Sequence, residues 1–173
     1  HDVFPGICVP DYFWQQLEVD PNGMWYMLCP HEVATIKGYN LEDYWGEEWE
    51  RRYLDCVADE RIPKRSILLK DMLRLIIKSA VETGTPFIFN RDTVNRMNPN
   101  NHCGMIYCSN LCSEIAQNQS EIKLKQTTVH TEEGEPIVVE ETIPGDFVVC
   151  NLASLVLGNI SCDDDKELGN VIN

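Results

Sequence analysis

A seven-residue segment, SNLCSEI at 109–115, places an amide, a thiol and a carboxylate close together in the chain. In an extended segment the side chains of Asn110, Cys112 and Glu114 would share one face, because side chains alternate with period two. Such an amide can hold a hydroxyl group, such a carboxylate can remove its proton, and a thiol can attack or transfer a hydrogen atom. The alternative is a buried Cys112 between two solvent-facing polar residues, but the alternation puts all three on one side.

The other cysteines favour packing rather than cross-linking or metal binding. Eight cysteines in 173 residues fall below the density of a disulfide scaffold, and the opening HDVFPGICVP lacks the pattern of a secretory signal. Reduced thiols in a cytoplasmic protein are therefore expected. Cys103, Cys108 and Cys112 lack the C-x-x-C pairs of a zinc site, so no metal site is predicted. Four cysteines are predicted to be small buried residues, namely Cys8, Cys29, Cys56 and Cys162.

The elements that must position these residues alternate between helices and strands. Helices are predicted after Pro10, between Pro30 and Gly38, over 41–62, and over 66–83 with Ser66 as its N-cap and Gly84 at its end. Short strands are predicted in MWYML and TPFIFN, and a polar, turn-rich stretch over 90–101. The order indicates an α/β architecture.

The last third of the chain is predicted to hold three further features. Residues 118–145 alternate around a central glycine, which predicts an exposed β-hairpin excursion. The run DFVVCNLASLVLGNI, which contains Cys150, predicts a fully buried strand, and a thiol there is usually inert. The final CDDDKELGNVIN is expected to begin a helix.

Composition excludes several classes of protein. Apolar residues make up 43% and charged residues 24% of the chain, which is typical of a globular domain. The net charge of -14 disfavours binding to a nucleic acid backbone, and no apolar run approaches the ~20 residues of a membrane span. Neither a nucleic acid nor a membrane is expected as a partner.

Two motifs together resemble the catalytic (large, alpha) subunit of ribonucleotide reductase. SNLCSEI is similar to the family's S-N-L-C-[ST]-E-I loop, and Cys150 with the following NLASLVLGNI is similar to its C-N-L-x-S-x-x-L-G segment. The run ETGTPFIFNRDTVNR and the earlier VPDYFW and PHEV segments are also similar to that family. The resemblance covers about residues 3–160.

The resemblance implies a role for each motif residue in the reduction of ribonucleotides to deoxyribonucleotides. Cys112 would carry the thiyl radical that removes the 3′ hydrogen, and Glu114 would accept the proton of the 3′-hydroxyl. Asn110 would hydrogen-bond the substrate hydroxyls, and Ser109 would join it in substrate binding. Cys150 would be half of the dithiol that reduces the 2′ position.

The resemblance also implies a fold and partners. The fold would be part of a ten-stranded α/β barrel whose finger loop carries the radical cysteine. The whole of 1–173 is expected to be a fragment of that barrel domain, inactive by itself, whose dithiol partner and radical-transfer tyrosines lie elsewhere. A di-metal small subunit would supply the radical, with adenosylcobalamin as the alternative, and thioredoxin or glutaredoxin would supply electrons. The full-length protein would be a homodimer.

Two other interpretations remain open from the sequence. The chain could be a non-catalytic, reductase-like module, although Cys112, Glu114 and Cys150 are all present. It could also be a thiol redox or metal-binding protein that uses Cys103, Cys108 and Cys112.

Overall fold

The computed structural model describes residues 3–154 and residue 156, which form a mixed α/β structure. The helices are Asp11–Val19 (α1), Pro30–Lys37 (α2), Gly46–Ala58 (α3), Leu69–Thr83 (α4) and Arg91–Arg96 (α5), with a 3₁₀ turn at Leu41–Asp43. The strands are Gly6–Val9 (β1), Met24–Leu28 (β2), Lys64–Leu68 (β3), Phe87–Asn90 (β4), Lys123–His130 (β5) and Pro136–Ile143 (β6). None of these helices is long and apolar enough to cross a membrane.

The described strands pair two by two. β1 lies parallel to β4, with Gly6 opposite Phe87 and Val9 opposite Asn90. Parallel strands need a long crossover connection, which the segments from α1 to α4 supply. β2 pairs with β3 and β5 with β6, both antiparallel. The β5–β6 hairpin lies within 118–145, and its residues are exposed on both faces.

Two small hydrophobic clusters lie in the core of the described residues. The first contains Val9, Phe13 and Leu69, and the second contains Val33, Cys56 and Ile62. The first cluster fixes α1 and the start of α4 against the end of β1, because its members come from those three elements. The second holds α2 against α3 and the turn before β3.

Tyr53 ties α3 to β2. Its ring stacks on Trp25 and Trp49 with centroids 4.9 Å away in both cases. Its hydroxyl donates to the Tyr26 carbonyl and accepts from the Tyr26 N–H, each at 3.0 Å. Burial raises the pKa of the Tyr53 hydroxyl well above its ordinary value, so the group stays protonated and can serve both bonds.

The buried carboxylate of Asp92 joins three helices. Asp92, on α5, is 3% exposed. One carboxylate oxygen accepts the N–H of Asp11 at 2.7 Å and the other accepts the N–H of Gly46 at 2.8 Å. These are the first residues of α1 and α3, whose N–H groups have no partner within their own helices. The negative charge also complements the positive end of both helix dipoles.

Most helix predictions are confirmed, but two of their boundaries are wrong. Gly38 and Gly84 end α2 and α4 in the left-handed conformation, with φ of 73° and 75°. Ser66 is not the N-cap of α4, because it lies inside β3 opposite Tyr26, where strand pairing occupies its backbone. The helix predicted over 41–62 is divided into the 3₁₀ turn and α3, with Trp45 between them.

Three other predictions concern the segments around the motifs. The polar stretch 90–101 contains the helix α5, whose buried residues are polar and therefore gave no apolar pattern. The buried strand predicted around Cys150 is wrong for the described residues, because 144–154 has no regular secondary structure and Phe147 is 85% exposed. The helix predicted in the last twelve residues lies outside the described residues.

We expect Asp92→Ala to destabilise the fold by about 2–4 kcal/mol, because it removes an N-cap acceptor from two helices at once. Urea unfolding followed by circular dichroism measures this change. Asp71→Ala is the matched control, since Asp71 is exposed in the first turn of α4 and pairs only with Arg74. The control should cost at most about 1 kcal/mol. Equal losses in the two variants would contradict the capping role.

Candidate active site

Residues 109–115, here called the cysteine loop, form a tight turn rather than a strand. The carbonyl of Asn110 accepts the N–H of Ser113 at 3.1 Å, and the N–H of Asn110 donates to the carbonyl of Ile115 at 3.2 Å. The side-chain oxygen of Asn110 accepts the N–H of Ile115 at 3.0 Å. Asn110 therefore closes the loop with both its backbone and its side chain.

The predicted single face of Asn110, Cys112 and Glu114 is wrong. Ser113 has a φ of 66°, in the left-handed region, so the chain reverses there and side chains no longer alternate. A non-glycine residue in this region carries about 1 kcal/mol of strain. The turn bond and the Asn110 side chain hold Ser113 in that conformation.

The turn places Cys112 at its outer end. Cys112 is the third residue of the four-residue turn, and its side chain is exposed. Glu114, two residues later, is also exposed. Ser109 is half-buried, and its hydroxyl donates to the Asn110 carbonyl at 3.1 Å. The thiol and the carboxylate are thus both open to a reactant, while Ser109 and Asn110 support the turn.

A cavity of about 260 Å³ lies between the β1–β4 pair and the cysteine loop. Its loop side is formed by residues from Tyr107 to Ser113 except Cys112, and its strand side includes Gly6, Ile7, Cys8, Phe87 and Phe89. Ser109 and Asn110, which were predicted to bind substrate, line this cavity.

Tyr107 lies at the base of the loop, in a position that no sequence motif singles out. Its hydroxyl donates to a carboxylate oxygen of Asp43 at 3.1 Å. Burial, and then this bond, raise the pKa of Tyr107 above its ordinary value, so the hydroxyl remains a donor at neutral pH. The contact ties the loop to the 3₁₀ turn before α3.

Two of the cysteines predicted to be buried are exposed. Cys56 is fully buried as predicted, whereas Cys8 and Cys29 are exposed, and Cys162 lies outside the described residues. Cys8 also accepts a hydrogen bond from Nε of the buried Arg91 at 3.3 Å. No sequence signal could have placed it in the cavity wall, because that position depends on the pairing of β1 with β4.

Cys150 lies on an exposed segment that hydrogen-bonds the chain just after the cysteine loop. The side-chain amide of Gln117 donates to the carbonyl of Val149, the residue before Cys150, at 3.1 Å. The N–H of Asp146 donates to the hydroxyl of Ser120 at 2.8 Å. These bonds join the segment before Cys150 to the chain that follows the cysteine loop.

The described cysteines show neither a disulfide nor a metal-binding group. All seven of those in the described part of the chain are free thiols, and Cys103, Cys108 and Cys112 are exposed. Within residues 3–154 and 156, no three or more His, Cys, Asp or Glu side chains are arranged to hold a metal ion. Cys108 lies beside the cysteine loop and lines the cavity, but it is exposed rather than packed.

Comparison with known proteins identifies relatives over the whole chain. Residues 1–172 match the family model for the ribonucleotide reductase barrel domain. The ribonucleoside-diphosphate reductase subunit alpha of Treponema pallidum is 59% identical over 172 residues, which are 99% of this chain and 20% of that protein.

More distant relatives carry related names. The ribonucleoside-diphosphate reductase subunit alpha of Helicobacter pylori (strain 26695) is 32% identical across 95% of this chain and 24% of its own length. The large subunit from Danio rerio is 33% identical across 90% of this chain and 16% of its own. The chain thus spans between about a sixth and a quarter of the length of these relatives. By this match over nearly every residue, the chain belongs to the ribonucleotide reductase barrel-domain family.

Proposed function

We propose that this chain is part of the catalytic subunit of a ribonucleoside-diphosphate reductase, an oxidoreductase that converts ribonucleotides to deoxyribonucleotides. The family match over residues 1–172, which includes an intact SNLCSEI motif, carries the proposal. The relatives named as this enzyme match over nearly the whole chain, one of them at 59% identity. The exposed thiol and carboxylate of the cysteine loop are the groups that the reaction needs.

Cys112 and Glu114 would start the reaction. As a thiyl radical, Cys112 would take the hydrogen atom from the 3′ carbon of the ribose, which leaves a carbon radical and a Cys112 thiol. Glu114 would accept the proton of the 3′-hydroxyl, and Ser109 and Asn110 would hydrogen-bond the substrate. A hydroxyl is a poor leaving group, and the neighbouring radical with a proton supplied to the 2′ oxygen lets it depart as water.

Cys150 would supply half of the two-electron reduction. Two thiols would give the substrate two electrons and two protons and become a disulfide, and Cys112 would then return its hydrogen atom to the 3′ carbon. The second thiol lies upstream in the family pattern. Thioredoxin or glutaredoxin would reduce the disulfide after each turnover. The bond between Gln117 and Val149, which joins the residue before Cys150 to a residue just after the cysteine loop, supports this pairing of roles.

We further propose that these residues form part of a ten-stranded α/β barrel in which the cysteine loop is the finger loop. Parallel strands are stable when both faces are covered and further strands continue the sheet, whereas β1 and β4 pair only with each other among the described residues. Phe147, Val149 and Leu152 are more than 70% exposed, which is unusual for apolar side chains so close together. The rest of a longer barrel would cover them.

The proposed enzyme needs partners. Its relatives are named subunit alpha or large subunit, which supports a second subunit, and we propose that this small subunit supplies the radical from a di-metal centre. Adenosylcobalamin is the alternative source. The enzyme would act in the cytoplasm as a homodimer on a ribonucleotide substrate.

In the full-length protein that carries this chain, we expect Cys112→Ser to abolish deoxyribonucleotide formation and leave nucleotide binding within about twofold. A serine hydroxyl binds like a thiol but forms no comparable oxygen radical under these conditions. Product formation is measured by chromatography and nucleotide binding by equilibrium dialysis. Cys103→Ser is the matched control, since Cys103 is an exposed thiol that does not line the cavity, and it should retain turnover. Retained turnover in Cys112→Ser would rule out the proposed function.

The two roles of Asn110 can be separated by two substitutions. Asn110→Ala removes the acceptor for the Ile115 N–H, so the exchange of that amide should accelerate by about tenfold, the value of one hydrogen bond. Asn110→Asp keeps an acceptor and should keep the amide protected, but it loses the donor to the substrate hydroxyl and should lower kcat/KM by at least about tenfold. Hydrogen exchange and steady-state kinetics measure the two effects. Wild-type kinetics in both variants would contradict a substrate role for Asn110.

A further inference from the structure

We propose that Asn95 is a positioning residue for the reaction, because it fixes the root of the cysteine loop through the backbone of Ile106. This inference rests on the proposed function, in which Cys112 is the reacting thiol. Asn95 and the neighbouring side chains of Asn98 and Asn118 are together called the amide clamp.

Asn95 takes the place of a strand partner for Ile106. Its side-chain oxygen accepts the Ile106 N–H at 2.8 Å, and its side-chain nitrogen donates to the Ile106 carbonyl at 3.0 Å and to the Arg91 carbonyl at 2.9 Å. Both residues are 2% exposed. Buried backbone groups need partners, and Ile106 lies in no strand of the described chain. One side-chain amide therefore satisfies both of its backbone groups.

The helix that carries Asn95 is itself held firmly. Arg91, one turn earlier on α5, donates to the carbonyls of Glu42 and Tyr44 at 3.2 and 2.9 Å. The next residue, Asp92, caps α1 and α3. These charged contacts fix the position of α5 relative to the core. The hydrogen bonds of Asn95 in turn fix Ile106 relative to α5.

The other two members of the amide clamp close the loop at its base. Asn98, which precedes the loop, and Asn118, which follows it, both donate from their side-chain nitrogens to the carbonyl of Gly104. Gly104 has a φ of 140°, which favours glycine. The segment before the cysteine loop and the segment after it are therefore both bound to the carbonyl of Gly104, two residues before Ile106.

The position of Ile106, at the base of the cysteine loop, controls the position of the Cys112 thiol. Ile106 lies six residues before Cys112, and the loop between them is tightly turned by Asn110. A shift at Ile106 therefore displaces the whole loop. Hydrogen-atom transfer requires reacting atoms about 3–3.5 Å apart, and a displacement of 1 Å can lower the rate by about a hundredfold.

The test uses Asn95→Asp in the full-length protein. This variant keeps the shape and the acceptor for Ile106 but places a carboxylate against two carbonyls. We expect kcat to fall at least about tenfold while KM changes less than about threefold, because a hydrogen bond to substrate tolerates small displacements better than atom transfer does. Amide exchange across 104–116 should accelerate, and exchange in α3 should not.

Two further variants keep the inference falsifiable. Val33→Ala weakens the second core cluster, away from the loop, and should lower the unfolding midpoint without lowering kcat. Asn118→Ala leaves α5 and the core intact but removes one of the two side-chain donors to the Gly104 carbonyl, and should lower kcat by at least about threefold. If Asn95→Asp does not fold, Asn118→Ala decides the result. Wild-type kcat in every folded clamp variant, or an equal fall in Val33→Ala, would overturn the inference.

The two proposals fail in different ways. If Cys112→Ser retains turnover, the proposed function is wrong, whatever the exchange data show. If Cys112→Ser is inactive and the clamp variants loosen 104–116 without lowering kcat, the function stands and Asn95 has a structural role only.

Discussion

The carboxylate of Asp92 is the interaction on which the mutual arrangement of α1, α3 and α5 depends. A buried charge is costly unless it is hydrogen-bonded, and each carboxylate oxygen of Asp92 accepts one N–H group, from the first residues of α1 and α3. Those N–H groups in turn lack partners inside their own helices. Each side therefore satisfies the other, and three helices acquire a common fixed point that the two small hydrophobic clusters alone would not define.

From this point, polar contacts extend in one direction toward the cysteine loop. Asp92 fixes α5, Asn95 on α5 fixes Ile106, and Asn110 closes the turn whose outer end is Cys112. Hydrogen bonds suit this task because they are directional, whereas apolar contacts allow a segment to slide. The loop and the residues before it have no strand partner among the described residues. Side-chain amides supply the hydrogen bonds that a neighbouring strand would otherwise make.

The sequence predicts those parts of the fold in which local signals are strong. Proline at the start and glycine at the end of α2 mark a helix without tertiary information, and alternation marks the hairpin of β5 and β6. It fails for α5, whose buried positions are Arg91, Asp92 and Asn95 rather than apolar residues. It also fails for Ser66, because a cap residue and a strand residue look alike until the partner strand is known.

In the candidate site, the sequence likewise predicts which residue types could react but not how they are arranged. The residue types in SNLCSEI predict Cys112 and Glu114 as the reactive groups, but the prediction that they share a face relied on period-two alternation, which assumes an extended backbone. The left-handed conformation of Ser113 breaks that assumption, and the bonds that stabilise it come from the side chain of Asn110 and the backbone of Ile115. The side-chain oxygen of Asn110 closes the turn, and its side-chain nitrogen can donate to a substrate hydroxyl. Asn110, which is expected to bind substrate, therefore also determines the position of the Cys112 thiol.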